Sequence, residues 1–228
     1  MKTLKDIIAE RLHINKKTIV YKYFPETKDE LRQILKERLA KDKNANLNDI
    51  DVSKITNMTG LFEQLDPHNI NISEWNVSKV EDMSDMFYRC DKFNSDLSKW
   101  NVSNVKNMGC MFYNCKKFNS DLGQWDVSNV INAEQIFARC EIFNSDLSNW
   151  DVSNVEYMNY MFYNCKNFNS NLNNWDVSKV INMKYMFYNC EKFNCDLNNW
   201  DVSHVKDMKD MLEGCTSLKY KPSWWYKI

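Results

Sequence analysis

The sequence predicts an α/β repeat solenoid, right-handed, of about seven 25-residue units with an N-terminal α/β cap. Three observations predict it. A shift of 25 residues aligns most of the chain with itself, and one such unit cannot bury its apolar face without a neighbour. Within a unit, L-x-x-W-x-V (Leu147, Trp150, Val152) alternates like a short strand with Trp and Val inward. The following V-x-x-M-x-x-M-F-x-x-C (Val155, Met158, Met161, Phe162, Cys165) has the three-and-four spacing of a short helical segment. Ser153 stands at its N-cap position.

Taken in order, residues 1–46 read as the N-terminal cap. Leu4, Ile7, Ile8 and Leu12 fit one helix face, and TIVYKYF (18–24) is strand-like and ends at Pro25. Thr27 and Glu30 form a capping box ahead of a second helix, whose apolar stripe is Leu31, Ile34, Leu35 and Leu39. A cap lying over the first unit is expected, because a repeat array needs a polar outer end.

Residues 47–222 are the array. A degenerate first copy (Leu47, Ile50, Val52, Ile55, Met58, Leu61, Phe62, Leu65) precedes clearer ones. In those, Trp returns every 25 residues from Trp75 to Trp225, Phe from Phe87 to Phe187 and Cys from Cys90 to Cys215. The Met column runs from Met83 to Met208 but is broken by Ala133. Residues 223–228 are the C-terminal cap, with Trp224 and Trp225 closing the last unit.

These columns resemble the BspA-type leucine-rich repeat, with MFYNCKNF standing where the shorter form has its AF-x-x-C-x-x-L order. The resemblance covers residues 47–218. It implies a leucine-rich-repeat-like solenoid whose relatives are mostly binding or adhesive surface proteins, and it implies no catalytic residues.

Composition narrows the function. Lys plus Arg (30) balance Asp plus Glu (31), so no basic excess exists to grip nucleic acid. No run approaches the roughly 18 apolar residues of a membrane span. The N-terminus lacks the apolar core and cleavage site of a secretory signal, so an intracellular location is expected, with the cell surface as the alternative. His13, His68 and His204 repeat no geometry with a nucleophile, and phosphate-loop, zinc-protease and nucleophile-elbow motifs are absent. Neither an enzyme nor a cofactor is expected.

Two ladders could carry chemistry. Cys90, Cys115, Cys140, Cys165, Cys190 and Cys215 are expected as buried thiols, against disulfide or metal alternatives; Cys110 and Cys195, in polar columns, are expected to be accessible. The column of Asp51, Asn76, Asn101, Asp126, Asp151, Asp176 and Asp201, and that of Asp96, Asp121, Asp146, Asn171 and Asp196, should bond their own turn amides rather than bridging calcium. Asn94, Asn119, Asn144, Asn169 and Asn194 read as an asparagine ladder at a turn.

What remains outward is the candidate partner-binding surface. One strip is polar: Lys99 and Asn101, Gln124 and Asp126, Asn149 and Asp151, Asn174 and Asp176, Asn199 and Asp201. The other is aromatic: Tyr88, Tyr113, Tyr163 and Tyr188. A non-catalytic scaffold for a protein partner is the expected function, an exported adhesive or structural repeat protein the alternative.

Overall fold

The computed structural model describes residues 19–227. Among them there is one α-helix, α1 (Lys28–Lys41), and a 3-10 helix over Ser223–Lys227. Pairing between units is confined to isolated parallel bridges: Asn57 to Asp82, then Asn107, Asn132, Tyr157, Asn182 and Asp207 in turn. No strand and no sheet forms among the described residues. The expected α/β leucine-rich-repeat-like solenoid, with a strand and a helical segment in each unit, is overturned. What stacks is a column of turns.

The unit explains why. Asp96, Asn101 and Asn107 each accept a hydrogen bond from the amide two residues on, those of Ser98, Ser103 and Gly109, at 2.9, 3.1 and 3.0 Å. Behind each Asx turn comes a closed β-turn: Trp100 N–H donates to Leu97 O, Val105 to Val102, and Met111 to Met108. The unit is therefore three phrases of the form Asx-apolar-x-x-apolar (DLSKW, NVSNV, NMGCM). Two further turns, Phe112–Cys115 and Cys115–Phe118, complete it.

The first and fourth residues of a β-turn lie within about 7 Å of each other, so both can face the core. The spacing of three that suggests a helix belongs to consecutive turns. Two of them place a positive φ at their third residue, 54° at Cys110 and 60° at Asn114, and both columns repeat that sign along the array. A right-handed helix cannot pass through either position. Ser153 correspondingly caps no helix; its amide closes the Asx turn of Asp151 at 3.0 Å.

Successive units join in register. The amides of Met108, Cys110, Phe112 and Asn114 donate to the carbonyls of Asn132, Glu134, Ile136 and Ala138 in the next unit, at 2.8–2.9 Å. In this segment amides point toward the C-terminal end of the stack and carbonyls toward the N-terminal end. The core between them is aromatic: Phe87, Phe112, Phe137, Phe162 and Phe187 stack at 5.5–5.7 Å, and Phe112 lies 4.0 Å from Phe118. Each buried Trp returns its indole N–H to a carbonyl, as Trp150 Nε1 does to Leu122 O at 2.9 Å. The Trp column closes on Trp224, whose Nε1 reaches Leu197 O at 2.8 Å; Trp225, the expected member, is only half-buried.

Both ends are covered differently. α1 starts at Thr27, whose hydroxyl accepts from the Glu30 amide, while the Glu30 carboxylate reaches Glu26 N, one residue before the expected reciprocal partner. Leu31, Leu35 and Leu39 are buried against the first unit, and Ile34 is half-buried beside them. The expected helix through Leu4 and Leu12 lies outside the described residues. Of TIVYKYF, Tyr23 alone makes a bridge, to Ile50, and Val20 and Phe24 are exposed, so the strand expected there is absent from the described part. At the other end, Ser223 and Trp224 occupy the places that a following unit would take, on Asn198 Oδ1 and Leu197 O.

Candidate functional site

The polar strip stands outside, as its alternation requires. Lys99, Gln124, Asn149, Asn174 and Asn199 are exposed in one column, and Asn101, Asp126, Asp151, Asp176 and Asp201 in another. The second column also has a structural duty, carried by one side-chain oxygen of each residue. Each of its side chains holds a serine amide, at 3.1 Å for Asp126 to Ser128 and 3.0 Å for Asp176 to Ser178. Hydrogen bonds from Ser178 keep the Asp176 carboxyl below its ordinary range, and those from Ser203 do the same for Asp201. A third Asx column, Asn57, Asp82, Asn107, Asn132, Asn182 and Asp207, does equivalent work and went unrecognised in the sequence.

The four tyrosines of the aromatic strip are half-buried. Tyr88 stacks on Tyr113 at 5.0 Å and Tyr163 on Tyr188 at 5.2 Å, but Ala138 separates the two pairs. Two residues that the sequence reading missed, Tyr160 and Tyr185, enlarge the second pair. Tyr160 lies 5.6 Å from Tyr163 edge-on and 5.0 Å from Tyr185 stacked, and Tyr185 lies 5.4 Å from Tyr188. The signal was there: both units read Y-M-F-Y, and residues three apart share one side of these turns. Arg139 stands 5.9 Å from the Tyr163 ring and Lys184 5.5 Å from that of Tyr185, within cation–π reach. Such a cluster presents flat apolar area with polar tips, the chemistry of an interface anchor.

The thiol ladder is internal. Cys115, Cys140, Cys165 and Cys190 direct Sγ–H to the carbonyls of Phe87, Phe112, Phe137 and Phe162 at 2.9–3.0 Å, and all eight cysteines are free. Burial pushes every ladder thiol up, Cys90 and Cys215 to about 12. Cys195 corrects the expectation of an accessible thiol. It occupies the column of Ser95, Ser120, Ser145 and Ser170, which is polar but buried, and its Sγ takes the Leu172 amide as Ser170 Oγ takes that of Leu147. Cys110 is half-buried, and burial, then Asp85, pushes its thiol up to about 12.

The asparagine ladder runs between units rather than within a turn. Asn94 Oδ1 accepts from Asn119 N, Asn119 from Asn144, Asn144 from Asn169 and Asn169 from Asn194, at 2.8–2.9 Å. Among the described residues no group of three or more His, Cys, Asp or Glu side chains is placed to hold a metal ion. Nor is any helix there long and apolar enough to cross a membrane.

Two overlapping stretches, residues 30–147 and 120–225, match the model of one protein family, described as Mycoplasma protein of unknown function, DUF285. No curated protein and no solved structure matches the chain.

Proposed function

We propose that this chain, which belongs to the DUF285 family, is a non-catalytic scaffold that holds a protein partner along the outside of its stacked turns. The 25-residue unit is read here as a variant of the BspA-type repeat, on the order of its Met-Phe, Cys, Phe, Leu and Trp columns.

One observation carries the reading. The Tyr160, Tyr163, Tyr185 and Tyr188 cluster gathers four half-buried rings in mutual contact on one side of the stack, with Arg139 and Lys184 at its edge. Aromatic residues and Arg dominate binding energy at protein interfaces, whereas the Asx columns are committed to holding turns. The column of Lys99, Gln124, Asn149, Asn174 and Asn199 carries no such duty and supplies the polar contacts of a longer footprint.

Capture from lysate of the source cells tests this with three proteins: wild type, a variant with Ser at the four clustered tyrosines, and one with Glu at Lys99, Gln124, Asn149, Asn174 and Asn199. A partner held by wild type and lost by the folded tyrosine variant supports the assignment. Equal recovery by all three proteins sinks it. The reduced thiol ladder supports an intracellular location, since such thiols persist where glutathione keeps them reduced. Cleavage of this chain by protease added to intact cells would move it to the surface.

A further inference from the structure

The two ends of the stack are not chemically equivalent. At the N-terminal end, where carbonyls point outward, α1 supplies the missing donors: Lys28 Nζ takes Thr59 O, and Arg32 takes Leu61 O and Glu63 O as well as Gly60 O. Thr59, Leu61 and Glu63 occupy columns whose carbonyls accept from a preceding unit, in every later unit for the first two and from Tyr113 onward for the third.

At the C-terminal end amides point outward. The amides of Met183, Tyr185, Phe187 and Asn189 donate to Asp207, Lys209, Met211 and Glu213. Their copies one unit later are Met208, Asp210, Leu212 and Gly214, and among the described residues none of these four amides has an acceptor. The side chains agree. Val177, Val180 and Met183 are buried, whereas Val202, Val205 and Met208, in the same columns, are half-exposed. The C-terminal residues cover only the other half of this face, through Lys219 on Asn194, Ser223 on Asn198 and Trp224 on Leu197.

We propose that this open half-face is a docking site for a separate polypeptide segment of the same repeat type, laid in the register of one more unit. The occupant follows from the interface that the chain already builds at each junction. It must present carbonyl oxygens at alternate residues to four fixed amides, and apolar side chains to Val202, Val205 and Met208. An edge of unpaired backbone donors is a template for pairing with another chain. A small anion fits poorly, because Asp207, Asp210 and Glu213 stand in the same segment. A second copy of this chain also fits poorly, since Lys28 and Arg32 already occupy its carbonyl edge. The proposal is independent of the tyrosine cluster.

Amide hydrogen exchange on the full chain tests it, with a synthetic peptide of residues 76–100 as the probe. In the free chain the amides of Met208, Asp210, Leu212 and Gly214 exchange about tenfold or more faster than those of Met183, Tyr185, Phe187 and Asn189. Peptide 76–100 slows the first set to the rate of the second; a scrambled peptide of the same composition does not. Val205→Glu, at a half-exposed side chain, abolishes that slowing while the tryptophan emission and unfolding midpoint stay near wild type. Slow exchange of the four amides in dilute free chain would overturn the proposal, because the edge would already be covered. So would binding of the peptide without protection there, equal protection by the scrambled peptide, or no protection at millimolar peptide. Protection that appears with rising concentration of the chain alone, at twice the mass, would replace the proposed segment with a second copy.

Discussion

The guanidinium of Arg32 stands 2.6 Å from the carbonyl oxygen of Leu61, where every later unit receives an amide from its predecessor. One helical side chain thus replaces a strip of backbone donors. Arg32→Leu should therefore cost about 2–3 kcal/mol, since it strands partly buried carbonyls that accept charged hydrogen bonds. The loss should be local first. Exchange at Met58, Gly60 and Phe62 should accelerate well before that at Met158 or Phe162. Arg32→Leu with exchange unchanged at Met58 would mean that the apolar face of α1 does the capping alone.

The indole of Trp150 does two things, filling a buried column and donating from Nε1 to Leu122 O. The two are separable. Trp150→Ala should destabilise by about 3–5 kcal/mol, through lost burial and the cavity left behind. Trp150→Phe keeps much of the ring and loses the donor, so about 1–2 kcal/mol is expected. Urea unfolding of both variants checks the order. A Trp150→Ala cost under about 1 kcal/mol would remove the Trp column from the core.

Ala133 interrupts a column of methionines and leaves a small apolar cavity lined by Met108, Val130, Ile136, Trp150 and Met161. The site is already shaped for the larger side chain, because Met108 and Met158 occupy the same place in the units on either side. Ala133→Met should raise stability by about 1 kcal/mol. A lower unfolding midpoint would show that neighbouring side chains have closed in and that the column is overpacked by the addition.

The period and the inward columns were legible in the sequence because identical residues every 25 positions must stack on one another. Secondary structure was not. Leu97 and Trp100, Met108 and Met111, and Phe112 and Cys115 are each three apart, and that spacing is common to a helical turn and a β-turn. What separates them is the sign of φ at Cys110 and Asn114, and neither residue type announces it as glycine would. The Asx residues ahead of each turn were the available clue. Reading Asp96, Asn101 and Asn107 as one recurring phrase would have placed three turns in the unit. The polar strip is exposed, and its Asp column holds its own turn amides, as the Asx-turn reading of those residues expects. Tyr160 and Tyr185 do not stand out in the repeat because their column carries Asp85, Cys110, Gln135 and Asp210 elsewhere, and the cluster crosses two columns.

The thiol ladder makes stability depend on alkaline pH, and the sign follows from burial. Folding raises these thiols from an ordinary value of 9.0, to about 12 at Cys90 and Cys215 and upward likewise at Cys115, Cys140, Cys165 and Cys190. The folded state therefore holds its protons where the unfolded chain releases them. The contribution is complete below about pH 9 and is lost as pH rises toward 12, at about 1.4 kcal/mol per pH unit for each thiol. Urea midpoints measured under reductant at pH 8, 9, 10 and 11 should fall steeply above pH 9. Cys165→Ala should be the less stable protein at pH 8, because it loses the bond to Phe137 O and opens a small void. It should nonetheless lose stability more slowly than wild type above pH 9, by the slope of one thiol. Parallel slopes for the two proteins would show that Cys165 ionises as readily folded as unfolded and has no share in the alkaline transition.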